Sequence, residues 1–357
     1  MTNAFCGIDI MRQDHIDGAI CILPILGELY KLSGLELPKE VREYRDMAEF
    51  VANLKQWYRN PQIDIQKKFS LVTNVMQNKD TLFLVCENHV RVRREQGICY
   101  VDATFAPEYS VRGDKKSTAK LTVKEAIEAM IEGIKSGERK YPDIEVNLIC
   151  AVDRANTSER AVELVDIFSE CNRNYVRAID LVCDEVRDGP EKHIAMFKRA
   201  GEYGFKKACH AAEFVKHRPD EEKETVEQVA KNFAEDLSKR LDNLRVALFD
   251  LKADFINHGL GLCFDPELVG FVASHRLGVS ICPANYIDSR LIHDVEIIGI
   301  PEMLEEGVPV ILDVDDDLMF DGLEKTVKMC NLSDEQVRKI SQNARDTRFG
   351  NRKEHKF

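Results

Sequence analysis

The stretch Phe205-Lys-Lys-Ala-Cys-His-Ala-Ala-Glu213 decides the fold class of this chain. Residues 191–203, just upstream, have the apolar spacing of a helix, and Gly204 marks its end. The stretch is therefore predicted to be a short buried strand, with His210 and Glu213 at its carboxyl end. Parallel α/β enzymes place their chemistry at such strand ends. For this pair alone, a packed histidine beside a solvated glutamate is the more ordinary interpretation.

The same pattern extends along the whole chain. Short Val- and Ile-rich segments are separated by segments with helical periodicity, an order that is typical of βα units and a parallel sheet. Eight such strands in a chain of 357 residues predict one α/β domain spanning 1–357, a (β/α)8 TIM-type barrel with extra helices. The predicted strands are 5–13, 98–104, 146–152, 176–181, 205–211, 253–257, 278–282 and 308–313.

Three further segments are predicted from their spacing and charge. Residues 69–95 have the periodicity of one long helix. A charged helical insertion is predicted near 215–242, where a solvated surface helix is favoured and a mobile lid is the alternative. The last ten residues are polar and basic, so we expect a frayed C-terminal tail.

Composition excludes several classes of function. The chain is 44% hydrophobic and 31% charged, which is ordinary for a soluble globular protein. Its net charge of -12 gives no electrostatic footprint for nucleic acid or an anionic membrane. The 11 cysteines are odd in number and include no Cys-x-x-Cys pair, so we expect reduced thiols and a cytoplasmic protein. The longest apolar run, near residues 19–26, is far shorter than the roughly 20 residues of a membrane span.

Polar side chains terminate most of the predicted strands, and on a barrel they would converge on one face. His15, His210 and Asp315 offer two imidazoles and one carboxylate, which is a ligand set for zinc or a similar divalent ion. Three protein ligands leave a position for water, whose pKa the ion lowers to roughly 7. Glu213 and His258 would then move protons. The ordinary alternative is a set of hydrogen-bonded packing histidines and an acidic run that caps a helix.

Taken together, these strand ends resemble the adenosine deaminase family of the metal-dependent amidohydrolase superfamily. Each motif is weak alone, but their order and spacing are specific and cover nearly the whole chain. The resemblance rests on His15-Ile-Asp-Gly-Ala19, Tyr100-Val-Asp-Ala-Thr-Phe-Ala-Pro107, Asp180-Leu-Val-Cys-Asp-Glu185, His210-Ala-Ala-Glu213, His258-Gly259, Cys282-Pro-Ala-Asn285 and Asp313-Val-Asp-Asp316.

The resemblance implies a barrel that deaminates adenosine or a related 6-aminopurine nucleoside hydrolytically. A zinc-activated water would attack C6 and release ammonia, so one divalent metal ion, zinc, is the expected cofactor. The implied metal ligands are His15, His210 and Asp315, with Gln13 at the remaining ligand position. In the catalytic roles, Glu213 would give a proton to a ring nitrogen.

The same resemblance implies the remaining roles around the substrate. His258 would orient the attacking water, and Asp316 would accept a hydrogen bond from the other purine nitrogen. Asp17 would reach the sugar, while Cys183 and Asp184 would line the substrate pocket. The expected partner is a small purine nucleoside or base, and a homo-oligomer stays open. Zinc deaminases that act on flipped bases are excluded, because the chain lacks their Pro-Cys-x-x-Cys signature.

Four positions depart from the family pattern. Gln13 replaces the first histidine of the family's His-x-His, and an amide oxygen is a weaker donor to zinc than imidazole. The site would therefore bind metal more loosely, take another metal, or bind none. Ala212 and Cys183 stand where the family has glycine, which permits close approach of a purine to the backbone, and Thr104 replaces an arginine. The alternatives are a catalytically altered or inactive nucleoside-binding member, or an amidohydrolase with a different aminated substrate.

Overall fold

A computed structural model describes residues 7–39, 46–58, 60, 63, 65–111, 120–217, 224–319 and 322–353. Eight strands form one sheet in chain order, and every neighbouring pair is parallel. Asp14 in the first strand forms an isolated parallel bridge with Asp315, which lies three residues after the last strand. The sequence prediction of a (β/α)8 barrel is therefore confirmed. The strands are β1 Ile10–His15, β2 Tyr100–Phe105, β3 Glu145–Asp153, β4 Val176–Val182, β5 Lys206–Ala211, β6 Phe255–His258, β7 Gly278–Ile281 and β8 Val310–Leu312.

Thirteen α-helices accompany the strands in the described parts of the chain. The segment 69–95, predicted as one helix, is divided between two, because Asn78 accepts a hydrogen bond from the N–H of Thr81 and begins a new helix. The helices are α1 Leu26–Leu32, α2 Met47–Tyr58, α3 Ile65–Thr73, α4 Lys79–Glu95, α5 Val123–Lys140, α6 Ser158–Ser169, α7 Ile194–Glu202, α8 Val226–Arg245, α9 Pro266–Ser274, α10 Pro283–Asp288, α11 Ile300–Glu305, α12 Leu323–Met329 and α13 Asp334–Asp346.

The charged segment predicted near 215–242 contains α8, while residues 218–223 lie outside the described residues. One face of α8 is buried through Val229, Phe233 and Leu244, so the helix packs on the barrel instead of being solvated all round. Within the described parts of the chain, no helix is both long and apolar enough to span a membrane.

The amino-terminal end of the barrel is filled by a buried guanidinium and by the C-terminal segment. Arg12 lies between the rings of Phe255 and Phe349, at 4.5 and 4.6 Å from their centroids. Its Nε donates to the carboxylate of Asp102 over 2.6 Å. The aromatic rings and the carboxylate together compensate the buried charge of Arg12.

The C-terminal tail, predicted to be frayed, is packed as far as residue 353; residues 354–357 lie outside the described residues. The backbone N–H groups of Arg352 and Lys353 donate to Glu145 over 2.9 and 2.8 Å. Burial alone would raise the pKa of Glu145, but the hydrogen bonds from the Asn147 side chain and these two N–H groups lower it. The tail is thus held by an ionised carboxylate at the start of β3.

Candidate active site

The three predicted metal ligands meet at the carboxyl ends of β1, β5 and β8. His15 Nε2 lies 3.1 Å from His210 Nε2 and 3.3 Å from Asp315 Oδ1. One ligand atom from each of the three residues falls within 4.8 Å of the others. Two imidazole nitrogens and one carboxylate oxygen are the donor chemistry of zinc and similar divalent ions, so these side chains fit such an ion.

A carboxylate behind His210 fixes the orientation of its ring. Asp180 Oδ2 lies 3.0 Å from His210 Nδ1 and accepts a second hydrogen bond, of 2.9 Å, from Asn257 Nδ2. A proton on Nδ1 leaves the Nε2 lone pair directed at His15 and Asp315. Burial alone would lower the pKa of His210, but the Asp180 carboxylate outweighs it and raises the pKa.

Glu213 is held against this cluster through both oxygens. Its Oε1 accepts a 2.9 Å hydrogen bond from Asn285 Nδ2, and its Oε2 lies 3.3 Å from His258 Nε2. Burial raises the pKa of Glu213 to about 8, and the nearby Asp315 carboxylate adds to the effect. The carboxyl group can therefore carry a proton at neutral pH, as a general acid must.

The backbone that presents Glu213 is clamped from two sides. The N–H groups of Ala212 and Glu213 donate to the carboxylate of Glu185 over 2.8 and 3.1 Å. From the other side, Arg240 on α8 donates to the carbonyls of both residues. Helix α8, predicted to be a solvated surface helix, therefore fixes the position of Glu213.

His258 reaches the site because the strand conformation changes at this residue. Its φ of 74° is left-handed, so the ordinary alternation of side chains along β6 ends there. Asn257 Nδ2 lies 3.3 Å from His210 Nδ1, while the ring of His258 lies 5.0 Å from that of His210. Burial, with His210 nearby, lowers the pKa of His258 to about 3. Its imidazole is therefore neutral, and its Nε2 can accept a hydrogen bond.

Gln13 faces the same cluster, beside the three ligands. Its Nε2 lies 2.8 Å from Asp315 Oδ1, 3.1 Å from His258 Nε2 and 3.4 Å from His210 Nε2. Its Oε1 is turned the other way and lies 3.4 Å from the thiol of Cys282. The amide of Gln13 thus contacts the atoms that would ligate a metal.

Asp316 lies in a tight fit against the turn after β1. A Cβ on Gly18 would stand 1.5 Å from Asp316 Oδ1, so only glycine leaves room for this carboxyl group. That buried oxygen has no hydrogen-bond partner among the described residues. Burial raises the pKa of Asp316 and that of the neighbouring half-buried Asp17.

The sequence pattern of the adenosine deaminase family matches residues 11–229 and 239–356. This chain belongs to the adenosine deaminase family. It is an adenosine deaminase-like hydrolase acting on C–N bonds, as the sequence predicted. An adenosine deaminase of Clostridium botulinum is 26% identical over 344 residues, which cover 94% of this chain and 91% of the relative.

Solved structures share the fold of this family member. Adenine deaminase from Arthrobacter aurescens has a TM-score of 0.73 at 19% identity and covers 96% of this chain and 94% of its own. An amidohydrolase from Burkholderia ambifaria with bound Zn has a TM-score of 0.76 at 17% identity, with coverages of 98% and 87%. The Arabidopsis N6-mAMP deaminase has a TM-score of 0.69 at 19% identity, with coverages of 97% and 94%.

Two departures from the family pattern fall at left-handed backbone positions. Cys183 has a φ of 78° and Ala212 a φ of 64°, which explains why the family has glycine at both. Cys183 is exposed, and its Sγ lies 3.2 Å from the hydroxyl of Tyr109, which donates to Asp153 over 2.7 Å. This family member therefore has a thiol where the family pattern has glycine, and the phenol of Tyr109 lies against that thiol.

Asp184, predicted to bind substrate, is not brought to the cluster. Its carboxylate lies 3.0 Å from His217 Nε2 and accepts the N–H of Val186 over 3.1 Å. It therefore orders the loop after β4, and the sequence motif could not reveal this orientation because it depends on a residue that lies 33 positions away.

Sequence reasoning missed a buried ionic network that connects β1 to the loop after β8. Arg93, on α4, pairs with Asp14 and with Asp317, each over 2.6 Å. His89 Nε2 lies 2.9 Å from Asp14. Asp14 precedes the candidate ligand His15, and Asp317 follows the acidic pair Asp315-Asp316, which lies after β8. The available signal was Asp14 itself, because a buried aspartate needs a cationic partner.

Proposed function

We propose that this protein is a metal-dependent hydrolytic deaminase of adenosine or a related 6-aminopurine nucleoside, with zinc as the resident ion. The observation that carries the proposal is the convergence of His15, His210 and Asp315 against Glu213 and His258. The family membership supports deamination, and the adenosine, adenine and N6-mAMP deaminases among the relatives and structural neighbours support a purine. The neighbour with bound Zn supports zinc.

Metal binding and proton transfer would be carried out by different side chains. His15, His210 and Asp315 would hold the ion, which supplies the Lewis acidity that makes water a nucleophile at neutral pH. Asp180 keeps the Nε2 lone pair of His210 available for this role.

Proton transfer falls to the residues beside the ligands. Glu213 carries a proton on its carboxyl group near neutral pH and would donate it to a ring nitrogen of the purine. Neutral His258 would accept a hydrogen bond from the attacking water at Nε2 and orient it. The unpartnered Oδ1 of Asp316 would hydrogen-bond the other side of the ring, and Asp17 would contact the sugar. Protonation of the ring would make C6 more electrophilic. The proton of the hydroxyl group formed at C6 would then pass to the amino group, which leaves as ammonia, and a proton from water would restore Glu213.

The test is release of ammonia by the full-length protein from adenosine, adenine and AMP, and of methylamine from N6-methyl-AMP. Adenosine should be deaminated, and Glu213→Gln should lower kcat/KM by about 10²–10⁴-fold, because a positioned acid contributes that much. Metal content should not change, because the proposal gives Glu213 a proton-transfer role and not a ligand role, although it could also ligate an ion together with His258 and Asp315. The control is Glu128→Gln at an exposed position of α5. A Glu213→Gln protein within threefold of wild type would overturn the assigned role, as would loss of its metal.

A second candidate is a hydrolase for a different aminated ring. The side chain of Cys183 favours it, because a thiol at a position suited to glycine reduces the room for a purine. Turnover of N6-methyl-AMP or adenine without turnover of adenosine would select this alternative.

The ten cysteines of the described residues are all free, which supports the expected cytoplasmic location.

A further inference from the structure

We propose that Gln13 and Cys282 form an amide switch that controls metal entry. In this switch the Cys282 thiol holds the Gln13 amide so that its NH2 group lies among the ligands, and metal binding requires the amide to turn over. The inference rests on the proposed metal site. It concerns how tightly that site holds its ion, and it assigns a role to the glutamine that replaces the family's first histidine.

The hydrogen-bonding chemistry at both ends of the amide determines its orientation. Asp315 is a carboxylate and, when ionised, can only accept, so the edge of Gln13 at 2.8 Å from Asp315 Oδ1 must be the NH2 group. On the opposite edge, the S–H of Cys282 donates to Gln13 Oε1 over 3.4 Å. The reverse orientation would bring two acceptor oxygens together beside Asp315 and would leave the thiol with only a weak acceptor role. Both ends therefore select the same orientation.

With its NH2 group directed at the candidate ligand atoms, the Gln13 amide disfavours the binding of a cation. The amide nitrogen has its lone pair delocalised into the carbonyl and bears two hydrogens with partial positive charge, so it does not ligate. It lies 2.8 Å from Asp315 Oδ1 and 3.4 Å from His210 Nε2, and thus contacts two of the three atoms that an ion would need. The NH2 group therefore acts as an internal substitute for the ion.

A half-turn of the amide converts the same side chain from a competitor into a ligand. The two ends of the amide are nearly equal in size, so the turn needs little extra space. It directs Oε1 at the ion and places the NH2 group against the sulfur of Cys282, which is a weak acceptor. The hydrogen bond from the thiol to Oε1 is lost in the turn. A variant that lacks this hydrogen bond should therefore favour the metal-bound state.

The experiment measures the dissociation constant of Zn²⁺ for metal-stripped full-length protein, by competition with a fluorescent zinc chelator at fixed pH. Cys282→Ala should bind Zn²⁺ about 3- to 10-fold more tightly than wild type, since a neutral hydrogen bond of ordinary strength no longer opposes the turn. Cys150→Ala is the matched control, because Cys150 is a fully buried thiol on β3. It should bind like wild type.

Two further variants keep the test decisive. Cys282→Ser retains a donor, so its affinity should equal that of wild type or be weaker. Gln13→His supplies an imidazole and should bind Zn²⁺ more tightly than wild type. Circular dichroism of each variant establishes that it is folded. If Cys282→Ala does not fold, Cys282→Ser is compared with wild type instead. Tighter Zn²⁺ binding by Cys282→Ser than by wild type would then overturn the switch.

The outcomes separate the switch from the proposed function. Equal affinities of Cys282→Ala and wild type, with tighter binding by Gln13→His, would overturn the switch and leave the metal site standing. Absence of Zn²⁺ binding by wild type and by Gln13→His would overturn both. Tighter binding by Cys282→Ala, with Cys150→Ala unchanged, would support the switch.

Discussion

Replacing Arg93 by methionine removes the cation that two buried carboxylates share. Arg93 donates to Asp14 over 2.6 and 2.8 Å and to Asp317 over 2.6 and 3.2 Å. Arg93 is 1% exposed, Asp14 0% and Asp317 7%, so little water can compensate either carboxylate after the change. Methionine fills much of the same volume, and the loss is therefore mainly electrostatic.

The burial of this ion pair determines how much stability the substitution should remove. Removing one partner of a buried ion pair costs about 3–5 kcal/mol, because the remaining charge is left uncompensated. His89 still lies 2.9 Å from Asp14 and can retain part of the interaction, which favours the lower end of that range. We therefore expect Arg93→Met to lower the free energy of unfolding by about 3 kcal/mol.

The assay is urea denaturation followed by far-ultraviolet circular dichroism, with linear extrapolation to water. Arg91→Met is the matched control on the same helix, because Arg91 forms a partly exposed i,i+4 pair with Glu95 at 2.8 Å. Such a pair contributes about 0.3–0.5 kcal/mol. A loss below about 1 kcal/mol in Arg93→Met, or a loss equal to that of the control, would refute the electrostatic argument.

Three further predictions concern the site and the tail. Asp180→Asn should weaken metal affinity by about 10–100-fold in a chelator competition, because His210 loses its orienting carboxylate; an unchanged affinity would contradict this. Cys183→Gly should raise the free energy of unfolding by up to about 1 kcal/mol by relieving left-handed strain, and should lower KM for adenosine; an unchanged KM would place Cys183 outside the pocket. The lowered pKa of Glu145 means that its stabilising effect is present above its unfolded pKa of about 4.3 and is lost as pH falls through the folded value. The acid dependence of thermal unfolding should therefore be weaker in Glu145→Gln, and identical profiles would argue against the carboxylate clamp on Arg352.

The barrel could be predicted because its information is local. Each strand is a short apolar run between helical segments, and the stretch at Phe205 corresponds to a strand at Lys206–Ala211. Parallel order then follows from the alternation itself. The break at Asn78 was also encoded locally, in a helix-capping residue, but the longer periodicity of 69–95 obscured it.

The interior of the site could be predicted only in part, because its contacts join distant residues. Strand ends indicated that His15, His210 and Asp315 would converge. The sequence could not show that a left-handed φ turns His258 inward, since strand alternation alone would direct it away from Asn257. Nor could it show which edge of the Gln13 amide faces the ligands, because that depends on a contact 269 residues away.

The most direct test of the metal-dependent account is elemental analysis of the protein purified without chelator. We expect close to one zinc ion per chain, and loss of ammonia release from adenosine when the ion is removed, with recovery when zinc is restored. A protein that contains no zinc, acquires none from added Zn²⁺ and yet deaminates adenosine would contradict the assigned roles of His15, His210 and Asp315.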